Sequence, residues 1–206
     1  MSRNYRIGKR RRVAQEAAQL LYTEQEKEFR QAKLRAAKNL GIHVLPTNAE
    51  IAIELDRIAE AREGRTRQER LVQMRCEALQ IMQVLQGFSP VLVGSVWRGT
   101  AHRNSDIDIM TYAEDPPKVT LILQKNGYAI TNAEAQIVTE KGKKRHTFHI
   151  YASLTSNNQA EIVVHSPEYI SQPATCEIYR DVATGLTTQQ LQRILRRNPQ
   201  QKFVPR

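Results

Sequence analysis

The sequence has few cysteines, few aromatic side chains and no long apolar run. Its 206 residues include two cysteines, one tryptophan and 6% aromatic side chains. Two isolated cysteines, Cys76 and Cys176, make neither a disulfide framework nor a zinc site, so we expect reduced thiols in a cytoplasmic protein. No stretch approaches the roughly 20 apolar residues of a membrane-spanning helix, and no apolar segment follows the basic N-terminus as a secretion signal requires.

Positive charge is concentrated at the two ends of the chain. The formal net charge is +10, with +7 in residues 1–40, −3 in residues 41–140 and +5 in residues 191–206. Concentrated positive charge attracts polyanions because their counterions are released on binding. Nucleic acid is therefore the expected partner, and the alternative is that the basic ends only keep the chain solvated.

A helical region is predicted over residues 13–87, after a basic tail. The predicted elements are a basic tail over residues 1–12 and three helices, from about Val13 to Asn39, from Thr47 or Asn48 to Gly64, and from Thr66 to Gln86. This region has three uses between which the sequence does not choose: it forms a homodimer, embraces an acceptor or docks a partner.

The second half of the chain changes to strand-like patterns. The predicted strands are Val91–Val93, Ile107–Tyr112, Tyr128–Thr139, Arg145–Ser153 and Glu161–His165, with a basic hairpin tip at Glu140–Lys144 and helices at Val119–Lys125 and Thr187–Arg196. This order predicts an α+β fold in which a mixed β-sheet core carries an N-terminal helical extension. The predicted divisions are residues 1–12, 13–87, 88–185 and 186–206, the last a basic helix and tail.

Two aspartates lie two residues apart at the start of the second predicted strand. Side chains at i and i+2 of a strand point to the same side, so Asp106 and Asp108 are expected to lie together. Ile107 and Ile109 then face the core. Adjacent carboxylates repel each other, and a divalent cation such as magnesium is the usual compensation.

A Gly-Ser pair follows the first predicted strand. Gly94 allows a tight turn and a close approach of the backbone to a ligand. If a short helix begins at Ser95, its free N–H groups point beyond the strand end and favour a phosphate. The alternative for such a pair is an ordinary turn.

The full pattern G-S-x-x-R-G-x5-S-D-I-D-I, residues 94–109, resembles the nucleotide-binding signature of the DNA polymerase β nucleotidyltransferase superfamily. That superfamily includes CCA-adding enzymes, poly(A) polymerases, aminoglycoside adenylyltransferases and minimal nucleotidyltransferases paired with toxins. The resemblance covers roughly Phe88 to Tyr169. It implies a catalytic domain at residues 88–185 that transfers a nucleoside monophosphate from a nucleoside triphosphate to a hydroxyl.

The resemblance also implies two bound metal ions and three carboxylates. Asp106 and Asp108 take the bridging positions, and Glu161 is the candidate for the third acid because the preceding strand offers none. The superfamily more often has aspartate there, and the alternative for Glu161 is an ion pair on an edge strand. The ions implied are Mg²⁺, with Mn²⁺ as a substitute.

Gly94, Ser95 and Arg98 are the residues that the resemblance assigns to the nucleotide, although Arg98 is equally suited to packing over the turn. His102 and Arg103 lie within reach of phosphate or acceptor, and Trp97 either stacks on a base or belongs to the core. The scattered His146, His149 and His165 are expected to be structural rather than zinc ligands. Tyr128 and Tyr151 have no assigned role.

These features predict a magnesium-dependent nucleotidyltransferase that uses ATP or another nucleoside triphosphate and acts on RNA. The first alternative is an antitoxin-like enzyme that adds AMP to a protein hydroxyl. The second is a non-catalytic nucleic-acid-binding protein of the same fold. A small cationic acceptor such as an aminoglycoside is disfavoured by the positive charge of the chain.

Overall fold

The computed structural model describes residues 3–140, 143–172 and 175–205. The helices are α1 (Arg3–Tyr22), α2 (Phe29–Leu40), α3 (Asn48–Val84), α4 (Gly94–Arg98), α5 (Pro116–Lys125) and α6 (Thr188–Arg197). The strands are β1 (Val91–Val93), β2 (Ile107–Tyr112), β3 (Ala129–Glu140), β4 (Lys143–Ser153), β5 (Gln159–His165) and β6 (Leu186–Thr187).

The six strands form one sheet in the order β3-β4-β5-β2-β1-β6. Only β2 and β5 are parallel, and the other neighbouring strands pair antiparallel. This arrangement confirms the predicted α+β class with a mixed sheet. The parallel pair is the one that matters for the site, because α5 and the β3–β4 hairpin return the chain so that β5 lies directly beside β2.

Two hydrophobic cores share the long helix α3. The first joins α1, α2 and the first half of α3, and the second joins the rest of α3 to the sheet. The helix is kinked between them at Gly64, which has φ 49° and ψ −126°. The predicted domain boundary between residues 87 and 88 stays a prediction. The boundary between the two hydrophobic cores lies earlier, within α3. No helix among the described residues is both long and apolar enough to cross a membrane.

The predicted N-terminal tail is wrong in its conformation, because α1 already begins at Arg3. Arg10 and Arg11 bind Glu50 and Glu54 of α3, so part of the basic segment is held by ion pairs to a neighbouring helix. These partners lie about 40 residues away in sequence, and no local pattern reveals them. Lys141 and Gly142 of the predicted basic hairpin tip lie outside the described residues.

The single helix predicted from Val13 to Asn39 is also wrong. It is divided into α1 and α2 by a loop at residues 23–28, where Glu24 takes a left-handed φ of 57°. Tyr22 is buried at the end of α1, and the apolar stripe does not continue past it. The later boundaries are closer to expectation, since α2 ends at the left-handed Gly41 and Thr47 caps α3 through a capping box.

The five-residue helix α4 is held mainly from its C-terminal end. A helix this short is not stable alone, and its last carbonyl groups need partners. Arg75 is fully buried, and its Nε and Nη2 donate to the carbonyl oxygens of Val96 at 3.1 Å and Trp97 at 2.9 Å. The amide of Phe203 donates to the carbonyl oxygen of Arg98 at 2.9 Å. These bonds fix the orientation of α4.

The C-terminal segment at residues 198–203, here called the strap, is therefore held against α3 and α4 rather than forming the tail that the sequence predicts. Arg75 Nη1 and Nη2 also donate to the carbonyl oxygens of Pro199 at 2.6 Å and Gln201 at 2.9 Å. Gly99 is required at the crossing, since it has φ 73° and a Cβ there would lie 2.7 Å from the Gln201 carbonyl oxygen. One buried guanidinium thus joins α3, α4 and the strap.

We expect replacement of Arg75 by Met to lower the free energy of unfolding by about 2–4 kcal/mol, because four carbonyl groups, two of them buried, lose a donor. Burial lowers the pKa of Arg75 only to about 10, so the donor is still charged near neutral pH. Urea denaturation measures the change. Arg65→Met is the control, because the Arg65 side chain on the same helix is 89% exposed. Equal stability of the two variants would contradict this role.

Candidate active site

Two acidic side chains stand next to each other on the parallel strands at the centre of the sheet. Asp108 of β2 is the register partner of Glu161 of β5, and Asp106 immediately precedes β2. Ile107 and Ile109 are fully buried on the opposite face, as predicted. The structure thus brings the three predicted carboxylates to one end of the sheet.

The turn at Gly94 lies directly against Asp108. Val93 of β1 pairs with Asp108, and Gly94 then turns with φ 67° at the start of α4. A Cβ at this position would overlap the Asp108 carboxylate, whose Cγ would lie at 2.7 Å. The glycine is therefore required by a close approach to this chain's own carboxylate, which the sequence did not reveal, and it brings Ser95 beside the acidic group.

The acidic group is electrostatically strained. Burial, together with the negative charges of Asp106 and Glu161, raises the pKa of Asp108 to about 7. The pKa of Asp106 is raised by desolvation and by Glu161, while the positive charge of Lys27 opposes the increase. A site of this kind favours an added positive charge.

Glu161 has two neighbours on β4 to which the sequence assigned no role in the site. His149 Nδ1 lies 2.6 Å from Glu161 Oε1, and its Nε2 lies 3.0 Å from the Thr147 hydroxyl. Tyr151 pairs with Glu161 across the strands, and burial together with the negative charge of Glu161 raises the pKa of the Tyr151 hydroxyl. These β4 residues alternate and so share a face, which is a detectable pattern, but their partner on β5 depends on the hairpin register.

The donor set suits a hard divalent cation, because it consists of carboxylate oxygens whose mutual repulsion such an ion relieves. Within the described ranges, however, no three His, Cys, Asp or Glu side chains are already arranged to hold a metal ion. Glu161 is instead bonded to His149. The carboxylate oxygens fit such an ion by their chemistry. The bond from His149 to Glu161 would compete with the ion for the Glu161 carboxylate.

A cavity of about 310 Å³ begins at this acidic group and extends between three parts of the chain. Gly94, Ser95 and Asp108 form its polar end. The rest of its wall comes from the N-terminal helices and from the segment after β5, including Phe29, Ala52, Leu55, Ile178, Tyr179 and Ala183. The helical extension thus contributes directly to the site, which its sequence did not show.

A second opening of about 360 Å³ reaches Asp106 from the side of the α1–α2 loop. It is lined in part by Glu24, Glu26 and Lys27 of that loop and by Asn104. Glu26 is paired with Arg35 at 2.9 Å. The opening therefore carries charges of both signs next to the carboxylates.

Arg98 lies in the wall of the cavity, but its donors bind protein groups. Its two terminal nitrogens form bonds of 2.8 and 2.6 Å to the Asp181 carboxylate, and Nη1 also donates to the Phe203 carbonyl oxygen. Its guanidinium lies 4.0 Å from the ring centre of Trp97, which is buried. Of the two roles predicted for Arg98, this geometry supports packing over the turn, while nucleotide contact stays a prediction.

The loop before the aspartates is attached to the end of α1. The Arg103 guanidinium lies 4.7 Å from the Tyr22 ring centre, and Asn104 Nδ2 donates to the Tyr22 carbonyl oxygen at 3.2 Å. His102 lines both openings, and burial lowers its pKa. Arg103 is thus directed to α1, whereas His102 is near the acidic group.

Residues 75–167 match the family model described as a nucleotidyltransferase domain. This stretch contains α4, β2, β5 and all three acids. This match supports the predicted nucleotidyltransferase class for this part of the chain. A search of curated protein sequences gave no match.

Solved structures of the RNA terminal uridylyl transferase Cid1 and of a cytoplasmic RNA terminal U-transferase show a distant similarity. For Cid1 the identity is 14%, with 47% of this chain and 30% of that chain covered and a TM-score of 0.34. For the second structure the identity is 21%, with 46% and 28% covered and a TM-score of 0.31. This chain thus spans about a third of the length of the structures that it matches.

The raised pKa of Asp108 predicts how pH affects the metal-free protein. The folded state binds this proton more tightly than the unfolded state, whose pKa is near 3.8, so the stability from protonated Asp108 is lost between about pH 4 and 7. We expect Asp108→Asn to be more stable than wild type by about 1–3 kcal/mol at about pH 8 and nearly equal to it at about pH 4. Urea denaturation in EDTA at both pH values measures the difference.

The control for this comparison is Glu114→Gln, since Glu114 is exposed. It should leave stability unchanged at both pH values. Added Mg²⁺ should stabilise wild type and not Asp108→Asn, because only the carboxylate gains from a nearby cation. An Asp108→Asn variant that is less stable than wild type at about pH 8 would show that the carboxylate is not strained.

Proposed function

We propose that this chain is a magnesium-dependent nucleotidyltransferase that moves a nucleoside monophosphate from a nucleoside triphosphate to an acceptor hydroxyl, with RNA as the acceptor. The observation that carries the proposal is the register of Asp108 with Glu161 beside Asp106, at the polar end of the cavity under Gly94 and Ser95. A cytoplasmic location, expected from the two unpaired cysteines, is part of the proposal.

Asp106, Asp108 and Glu161 would hold the metal ions in this proposal. When bound there, two Mg²⁺ ions, or Mn²⁺ in their place, supply Lewis-acid polarisation of phosphate oxygens and a lower pKa for the attacking hydroxyl. The raised pKa values of Asp106 and Asp108 support this assignment, because a nearby positive charge would return both carboxylates to their ionised form.

The remaining work is done by groups of the chain. In the transfer, an acceptor oxygen forms a bond to the α-phosphorus while the bond from that phosphorus to pyrophosphate breaks. Ser95 lies at the start of α4, where its hydroxyl can donate to a phosphate oxygen. Its position depends on α4, whose C-terminal carbonyls are bonded to Arg75. His149 orients Glu161 through its contact with the carboxylate, and Tyr151 lies opposite Glu161 on the neighbouring strand.

The apolar part of the cavity is suited to the nucleoside. It continues from Ser95 into a wall that includes Leu55 of α3, Phe29 of α2 and Tyr179 after β5. Aromatic and aliphatic side chains can contact the face of any base. The lining favours burial of a base without indicating which one, so the choice of triphosphate is left to experiment.

A second candidate is transfer to a protein hydroxyl. The opening at Asp106 is lined by Glu24, Glu26 and Lys27, and only one of these three is positive. A phosphate backbone is repelled by carboxylates at close range, whereas a serine, threonine or tyrosine of a protein is not. This observation favours a neutral acceptor at that opening.

We expect Asp106→Asn and Asp108→Asn each to reduce nucleotide transfer at least about 100-fold, because each removes a charge that acts on the transition state. Glu161→Gln should cost less, about 10–100-fold. The measurement is incubation of each α-³²P-labelled triphosphate with Mg²⁺ and total cellular RNA and protein. Glu114→Gln, which removes an exposed acid outside the site, should be fully active.

Label in RNA would support the main proposal, and label only in protein would support the second candidate. Absence of transfer to any acceptor, together with RNA binding that Asp106→Asn does not change, would refute the enzyme and leave a non-catalytic nucleic-acid-binding protein.

The cavity wall is tested by Leu55→Trp, which fills part of the space that the proposal gives to the nucleoside. We expect KM for the triphosphate to rise about tenfold or more while the melting temperature changes little. Ile53→Trp is the control, because Ile53 lies on the same helix and is 47% exposed. An unchanged KM in Leu55→Trp would place the nucleoside outside this cavity.

A further inference from the structure

The outer face of α6 is lined by arginine and glutamine. Residues Gln189, Gln192, Arg193, Arg196 and Arg197 border a shallow depression of about 320 Å³. The inner face of the same helix packs through Leu191, Ile194 and Leu195 into the core. Thr187 caps the helix by a capping box with Gln190. The outer side chains therefore project from a firmly anchored helix.

The arginines of this face have no acidic partner in the described parts of the chain. Arg193, Arg196 and Arg197 occur in no ion pair there, and all three are exposed. The other basic regions differ, since Arg10 and Arg11 are paired with α3. The net charge of the two ends is similar, but Arg193, Arg196 and Arg197 form a group of three exposed arginines on one short helix.

The spacing of these side chains suits a repeating anion. Residues 189, 192, 193 and 196 follow the i, i+3, i+4, i+7 pattern of one helix face, where neighbours lie about 5–6 Å apart. Arginine donates to phosphate in a bidentate manner, and glutamine adds hydrogen bonds to phosphate or sugar. In the described parts of the chain, no apolar side chain borders the depression. It therefore lacks the apolar centre of a typical protein interface and the apolar face of a membrane-bound helix.

The face is also close to the candidate active site. From Arg197 the strap runs six residues to Phe203, whose amide is bonded to the carbonyl oxygen of Arg98 in the cavity wall. Six residues span at most about 22 Å, which is less than one turn of a nucleic-acid duplex, about 34 Å. A strand bound along α6 can therefore place its end at the cavity.

We propose that the α6 face, residues Gln189, Gln192, Arg193, Arg196 and Arg197, binds the phosphate backbone of an RNA acceptor. The inference deepens the proposed function and rests on it for the identity of the acceptor. Contacts of this kind hold the strand without reading its sequence.

The test is RNA binding by Arg193→Gln/Arg196→Gln/Arg197→Gln, made in the Asp106→Asn background so that no transfer occurs. The probe is a fluorescein-labelled single-stranded RNA of about 20 nucleotides and mixed sequence, followed by anisotropy between about 50 and 300 mM salt. Loss of three phosphate contacts should weaken binding about tenfold or more near 0.1 M salt. The slope of log K against log salt should become shallower by about 2, at roughly 0.7 per phosphate.

The control is Lys38→Gln/Lys118→Gln/Lys125→Gln in the same background, which removes the same charge from three exposed lysines on α2 and α5. It should change the slope much less. Equal slopes for the two triple variants, or no change in either, would overturn the proposal. If the arginine variant no longer binds phosphatidylserine vesicles but still binds the RNA as well as its parent does, the proposal is overturned in favour of a membrane surface.

The outcome is distinguishable from a failure of the proposed function. If the chain with Asp106 intact transfers no label, but RNA binding depends on the α6 arginines, the proposed transferase activity is refuted and the α6 surface is supported. Transfer to RNA by wild type, without any arginine dependence of binding, would support the enzyme and refute the surface.

Discussion

The geometry of the site depends on hydrogen bonds from buried arginines to backbone carbonyls around α4. Arg75 satisfies the carbonyls of Val96 and Trp97, and Arg67 satisfies those of Thr100 and Ala101 in the following loop. A five-residue helix at a strand end has too few internal bonds to fix its own direction. Because the arginines come from α3, the long helix sets where the Gly94–Ser95 turn points relative to the carboxylates.

A second constraint acts at the carboxylates themselves. Asp108 is pressed against Gly94 and faces Glu161, so the fold concentrates negative charge where little water can screen it. Such an arrangement costs free energy in the folded state, and a positive charge placed beside the carboxylates would lower that cost. Arg75 and Arg67 fix the turn at Gly94 against Asp108, and Asp108 lies beside Glu161. The carboxylates are thereby held close enough together for one cation to contact more than one of them.

Prediction from sequence succeeded where the information is local. Strands β1 and β2 lie at the predicted residues, because β-type apolar runs end at glycine or aspartate, and the spacing of Asp106 and Asp108 needs only strand periodicity. It failed where the partner is distant. Arg75 meets Gln201 across 126 residues, and His149 reaches Glu161 only once the β4–β5 register is set. From the sequence, an arginine in a helix such as Arg75 is expected at the surface, and no neighbouring residue indicates that it is buried.

The same distinction applies to charge. The sequence gives both ends a similar excess of lysine and arginine, yet Arg10 and Arg11 are matched by Glu50 and Glu54 on α3. A paired cation releases few counterions when a polyanion arrives, because its partner already offsets the field. Net charge alone therefore overstates what α1 contributes to nucleic-acid binding. The charge of α6 is not offset in this way, since the apolar side of that helix is buried and Arg193, Arg196 and Arg197 are exposed without an ion pair among the described residues.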